Sequence, residues 1–208
     1  MPNAPPTGID PPTTLENSPP WIKLLAGNPG VFLAFVWGLA EGTLFFVVPD
    51  VLLSLVATVE PRRCWRHVAA ATGGALVAGA LLYGWAARDM RHARDAIARV
   101  PFITSHMVAK VDQSYRARGI AAVFLGPFSG TPYKLYAVAA PAYVRELPFL
   151  AATVPARAQR FAIVCLLFGF AASWIRKRWQ WPAKRLVAVH AFVWILFYAF
   201  YWNLLGRN

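Results

Sequence analysis

Five charged side chains interrupt the apolar runs of this sequence: Glu41, Asp50, Lys134, Arg157 and Arg160. A charged residue at the centre of a membrane helix costs about 2.5 to 3.5 kcal/mol on insertion scales, so five unmet charges would be strongly unfavourable. We therefore expect these side chains to face water, a bound molecule or one another. Cations that bind an anion, beside acids that exchange protons, would form a substrate or proton pathway.

Each position also has a purely structural interpretation, which stays open. Glu41 and Asp50 can stabilise helix N-termini, where the helix dipole favours acids. Lys134 can extend along its stem to lipid headgroups. Arg157 and Arg160 share a helical face and can anchor a helix on the cytoplasmic side of a membrane.

The composition is that of an integral membrane protein. Hydrophobic residues make up 58% of the 208 residues and charged residues only 14%, far from the values of soluble domains. The net charge of +12 is carried by short basic clusters between apolar runs, which suits lipid phosphates better than nucleic acid. Cys64 and Cys165 lack a CxxC or Cys/His spacing, so we expect no disulfide, metal site or cofactor.

The lengths of the apolar runs predict the elements that would position these charges. Residues 1–20 contain seven prolines and are expected to form a disordered tail. Residues 31–60 and 119–145 are each too short for two membrane spans and are broken in the middle, which predicts two re-entrant hairpins. The residues expected to shape these breaks are Pro49, Gly126, Gly130, Pro132 and Tyr133.

The predicted fold is an all-α integral membrane protein with two re-entrant hairpins in an inverted repeat, each followed by a transmembrane helix, plus a C-terminal transmembrane helix. Residues 21–175 would form one membrane domain. Its predicted order is hairpin 31–60, span 68–87, interfacial helix 88–115, hairpin 119–145 and span 149–175, followed by the C-terminal helix 186–205.

Three blocks of sequence carry a resemblance to a known family: EGTLFFVVPD, FLGPFSGTPYKLYAVAAP and RAQRFAIVCLLFG. In this order they resemble the DedA superfamily, also called SNARE-associated or VTT-domain proteins, and within it the YqaA-like branch. The resemblance covers about Phe32 to Ile175. The chain departs from the family pattern at Pro127 and Pro141.

The resemblance implies two inward-facing re-entrant hairpins in an inverted repeat and the movement of lipids across a bilayer. Bacterial members are associated with undecaprenyl phosphate or phospholipids and with the proton-motive force. By the same resemblance, Glu41 and Asp50 match the family's membrane acids. Lys134, Arg157 and Arg160 match its basic positions.

Three functional hypotheses follow. The first is a lipid flippase or scramblase, with or without proton coupling, in the cell membrane of a bacterium; membrane lipids are its expected partners and a homo-oligomer is left open. The second is a non-transporting membrane assembly or homeostasis factor. The third, an enzyme acting on lipid phosphates, is disfavoured because no Ser/His/Asp arrangement and no cluster of aspartates occurs in the sequence.

Overall fold

The computed structural model describes residues 18–43, 45–126 and 129–205, and within these ranges the chain is helical without a strand. The helices are α1 (Pro20–Ala26), α2 (Asn28–Thr43), α3 (Asp50–Val59), α4 (Pro61–Arg88), α5 (Met90–Ala98), α6 (Ser105–Arg118), α7 (Ala121–Leu125), α8 (Tyr133–Ala139), α9 (Glu146–Trp179) and α10 (Ala183–Leu205). A short 3-10 helix, Ala140–Ala142, follows α8.

Three of these helices, α4, α9 and α10, are long and apolar enough to cross a membrane. Helices α1 and α2 reach the required length only as a pair, and they are bent by 62° at the break between them. Helices suit a membrane because they satisfy their backbone hydrogen bonds internally. The all-α fold and the apolar spans predicted from the sequence are thus present, and the protein is membrane-embedded.

Helix α4 lies at the centre of the fold and contacts α2, α3, α8 and α9. Its contact with α2 depends on glycine. A Cβ atom at Gly38 would lie 2.2 Å from the carbonyl oxygen of Ala71, and one at Gly74 would lie 2.0 Å from that of Phe35. The two backbones therefore approach more closely than any side chain at these positions would allow.

Helices α4 and α9 are also joined covalently. Cys64 and Cys165 form a disulfide, with their Cα atoms 6.7 Å apart. The expectation of no disulfide is wrong, because the spacing of two cysteines along a chain does not show which helices pack side by side.

The region predicted as one interfacial helix, 88–115, contains two helices, α5 and α6, separated by residues 99–104. Asp89 caps α5 by accepting from the backbone N–H of His92, and Thr104 caps α6 by accepting from that of Met107. Ala93 and Ile97 of α5 are fully buried, so one side of this predicted interfacial segment packs inside the protein.

Helix α6 is attached to α8 by a buried tyrosine. The Tyr115 hydroxyl donates to the carbonyl of Tyr136 at 3.0 Å. Burial raises the pKa of Tyr115 above its usual range, so the phenol stays protonated and keeps this bond.

Several predicted boundaries differ from the structure. Residues 1–17 of the predicted tail lie outside the described residues, whereas Pro20 already belongs to α1. Helix α4 begins at Pro61 rather than at residue 68, and α9 extends from Glu146 to Trp179. Both long helices therefore include basic residues that lie outside the predicted spans, 68–87 and 149–175.

Candidate functional site

Two ion pairs connect α9 to α2 and α3. Arg157 Nη2 donates to Glu41 Oε2 on α2, and Arg160 Nη2 donates to Asp50 Oδ2 on α3 at 2.6 Å. The spacing of three residues places both arginines on one face of α9. The structure thus brings four of the five predicted residues together as two pairs of opposite charge.

The Arg157 guanidinium is enclosed by aromatic rings. Its central carbon lies 5.1 Å from the ring centre of Tyr133 and 4.7 Å from that of Phe161, which are distances at which a ring face attracts a cation. Its Nε and Nη1 are buried and have no hydrogen-bond partner. Arg157 is therefore held by Glu41 and two rings, with its remaining donors sealed from water.

Lys134, in the first turn of α8, has a different environment from the arginines. Within the described ranges, no carboxylate lies within 4.0 Å of its amine. The Nζ atom donates to the carbonyl of Phe45 at 2.8 Å, in the link between α2 and α3. Because an ammonium group carries three N–H donors, two remain for another acceptor.

A cavity of about 250 Å³ lies where these charges meet. Four of the five predicted residues line it: Glu41, Asp50, Lys134 and Arg160. Two further polar atoms of its lining residues, Asp50 Oδ1 and Thr131 Oγ1, are buried without a hydrogen-bond partner. Such atoms cost about 1–3 kcal/mol each when they stay unsatisfied, so the cavity favours a ligand with polar groups.

Four of the five residues predicted to shape the hairpins lie at helix ends. Pro49 immediately precedes α3, Gly126 follows α7, and Pro132 precedes Tyr133, the first residue of α8. Gly130 has a φ of 71°, in the left-handed region that glycine adopts without strain.

The chain departs at two prolines from the pattern of the family that it resembles. Pro127 lies outside the described residues. Pro141 lies in the 3-10 helix after α8.

The aromatic side of the cavity was not predicted from the sequence. Trp194, Phe197, Tyr198 and Tyr201 of α10 line the same cavity as the charges. Their spacing of three and four residues is a signal that could have been found, because it places all four on one helical face. It was hidden by the many other aromatic residues of this helix.

A polar contact between α3 and α10 was also missed. Ser54 Oγ and His190 Nε2 are 2.8 Å apart, and Trp194 Nε1 donates to the same Ser54 oxygen at 3.0 Å. Ser54 and His190 are both buried. Neither lines the cavity, so the contact joins the two helices.

No protein-family model, curated protein or solved structure matches this chain.

Proposed function

We propose that this protein is a multi-pass protein of a bacterial inner membrane that moves a phosphate-bearing lipid, such as undecaprenyl phosphate or a phospholipid, across the bilayer as a flippase or scramblase. The observation that carries the proposal is Lys134. This cation lines a cavity and has no carboxylate partner among the described residues. An ionisable residue in that position is by default a candidate for function.

The lengths of the shorter helices support re-entrant hairpins. The ten residues of α3 rise about 15 Å, half of a hydrocarbon core of about 30 Å. Helices α7 and α8 have five and seven residues. Helices of this length do not cross a bilayer alone, and in our proposal they enter and return to the same side, in an inverted repeat.

The charge balance of the site supports an anionic ligand. The three cations Lys134, Arg157 and Arg160 exceed the two acids Glu41 and Asp50 by one positive charge. A phosphate headgroup at Lys134 would compete with Asp50 for Arg160, which offers two parallel N–H donors to a phosphate. A proton taken up by Asp50 would release Arg160 for this exchange, which is how transport would be coupled to protons.

Substitution of Lys134 tests the proposal, and Lys110 offers a matched control. Lys110 Nζ also donates to a single carbonyl at 2.8 Å, that of Ser129, but Lys110 does not line the cavity. Purified full-length protein would be reconstituted into vesicles with a trace of fluorescent phosphatidylglycerol, and dithionite quenching would report lipid that reaches the outer leaflet.

We expect Lys134→Gln to slow lipid exchange at least tenfold, because the cation that attracts the headgroup is lost, while Lys110→Gln behaves as wild type. Both variants should show the same elution volume and thermal midpoint as wild type. Equal exchange by wild type, Lys134→Gln and protein-free vesicles would overturn the proposal and favour a non-transporting assembly factor, in which the ion pairs only join helices.

A further inference from the structure

The charged cavity has an aromatic wall supplied by α10, a helix outside the region that carries the charges. Trp194, Phe197, Tyr198 and Tyr201 lie at relative positions 0, 3, 4 and 7 and all line the cavity. Other aromatic residues of α10, such as Phe200, lie off this face and do not line it, and Phe200 is 67% exposed. We call these four residues the α10 wall.

Hydrogen bonds hold the α10 wall in register with the charged residues. The Ser54 hydroxyl donates to the carbonyl of Asp50 at 2.6 Å. Ser54 Oγ also accepts from Trp194 Nε1 at 3.0 Å and lies 2.8 Å from His190 Nε2. The backbone N–H of Val48 donates to the Tyr198 hydroxyl at 3.1 Å.

These contacts fix α10 to the segment that carries Asp50. The α10 wall is therefore positioned relative to the site and is not simply the lipid-facing side of the helix. The link between α2 and α3 and the loop before α6 add further aromatic residues to the cavity: Phe45, Phe46 and Phe102.

The size of the cavity limits what it can hold. Its volume of about 250 Å³ is below the roughly 300–1,000 Å³ of pockets that enclose drug-sized ligands. It suits a charged headgroup with the first part of an attached chain. A free inorganic phosphate would use the cations and leave the apolar surface of the α10 wall without a partner.

From this we infer that the α10 wall is a specificity element, which binds the apolar chain next to the phosphate of an amphipathic anion. The inference rests on the proposed function, since it takes the phosphate to bind at Lys134. The inference predicts that the protein binds an alkyl phosphate more tightly than inorganic phosphate. Lys134 contributes nothing to this difference in affinity.

The experiment measures binding of inorganic phosphate and of hexyl phosphate to the full-length protein in nanodiscs by calorimetry. Hexyl phosphate should bind wild type at least tenfold more tightly than inorganic phosphate. Phe197→Ala should weaken hexyl phosphate about fivefold, because apolar contact area is lost, and should leave inorganic phosphate unchanged. Phe200→Ala is the matched control for partition of the alkyl chain into lipid and should change neither.

A diazirine-bearing alkyl phosphate gives a second readout. Its label should appear at Phe197 or Tyr201 and be removed by excess hexyl phosphate, whereas label at Phe200 should persist. The inference is overturned if hexyl phosphate binds no more tightly than inorganic phosphate, or if Phe197→Ala and Phe200→Ala change its affinity equally. Either result would overturn it even when Lys134→Gln abolishes phosphate binding. Failure of both phosphates to bind wild type would instead overturn the proposed function, and the inference with it.

Discussion

Arg157 on α9 and Glu41 on α2 form an ion pair in which the two side chains are 0% and 6% exposed. The neighbouring pair, Arg160 with Asp50, is less enclosed, because the Arg160 side chain is 22% exposed and lines the cavity. Although their arginines are only three residues apart on α9, the two pairs therefore differ in burial. Removal of one partner should lower the stability of the protein by different amounts in the two pairs.

We expect Arg157→Gln to lower the free energy of unfolding by about 3–5 kcal/mol, the usual cost of leaving a buried charge without its partner. Arg160→Gln should cost less, because the Arg160 side chain is 22% exposed and solvent screens part of its attraction to Asp50. The double variant Glu41→Gln/Arg157→Gln should regain part of the loss, because no unpaired charge remains. Denaturant titration in mild detergent measures all three, and equal costs for the two arginines would contradict the difference in burial.

The charged part of the site could be predicted from the sequence because its physical cause is local. A charge within an apolar run must face water, a bound molecule or another charge, so the sequence identifies Glu41, Asp50, Arg157 and Arg160 as residues that avoid lipid. Which acid joins which arginine depends on how α2 and α3 lie against α9. That arrangement is set by packing across the whole fold, and the spacing of residues along the sequence does not indicate it.

The aromatic and covalent parts were not predicted, for two different reasons. The α10 wall has a helical spacing, but lipid-facing helices are rich in aromatic residues, so Phe197 and Phe200 look alike in the sequence. Cys64 and Cys165 are 101 residues apart, and only the packing of α4 on α9 brings them together. Similarly, the segment predicted as an interfacial helix contains Ala93 and Ile97, which are buried where α5 packs against α4 and α8.

The glycines between α2 and α4 give a stability test with an internal control. A Cβ at Gly74 would lie 2.0 Å from the carbonyl oxygen of Phe35, whereas one at Gly84, on the same helix, meets nothing within 4 Å. Gly74→Ala should force the helices apart and lower the thermal midpoint by several degrees. Gly84→Ala should raise the midpoint slightly, because alanine favours a helix by about 0.5–1 kcal/mol over glycine. Similar midpoints for the two variants would be inconsistent with this helix contact.

The disulfide between Cys64 and Cys165 can be checked by counting thiols. Protein unfolded without reductant should add no alkylating groups, and reduced protein should add two, as seen by intact mass. Cys64→Ser, Cys165→Ser and the double variant should each lose about 2–4 kcal/mol of stability, the typical contribution of a disulfide. Two alkylated thiols before reduction would show that the bond is absent in the purified protein.

Phe102 lies in the loop between α5 and α6, which covers one side of the cavity, and substitutions at this residue test the backbone conformation of the loop. Its φ of 69° lies in the left-handed region, where a residue other than glycine costs about 1–3 kcal/mol. Its ring lies 5.5 Å from that of Phe46 and 5.8 Å from that of Tyr201. These contacts, worth about 0.5–1.5 kcal/mol each, help to offset the strain.

Substitution of Phe102 separates the cost of the backbone strain from the gain of the ring contacts. Phe102→Gly loses both ring contacts but relieves the backbone, so its stability should stay within about 1 kcal/mol of wild type. Phe102→Val loses the same contacts and keeps the strain, which a β-branched side chain makes worse, so it should be about 2–3 kcal/mol less stable. The measurement is the free energy of unfolding of each variant in the same detergent. Equal stability of the glycine and valine variants would mean that the loop does not hold residue 102 at a positive φ, and that ring contacts alone determine its position at the cavity.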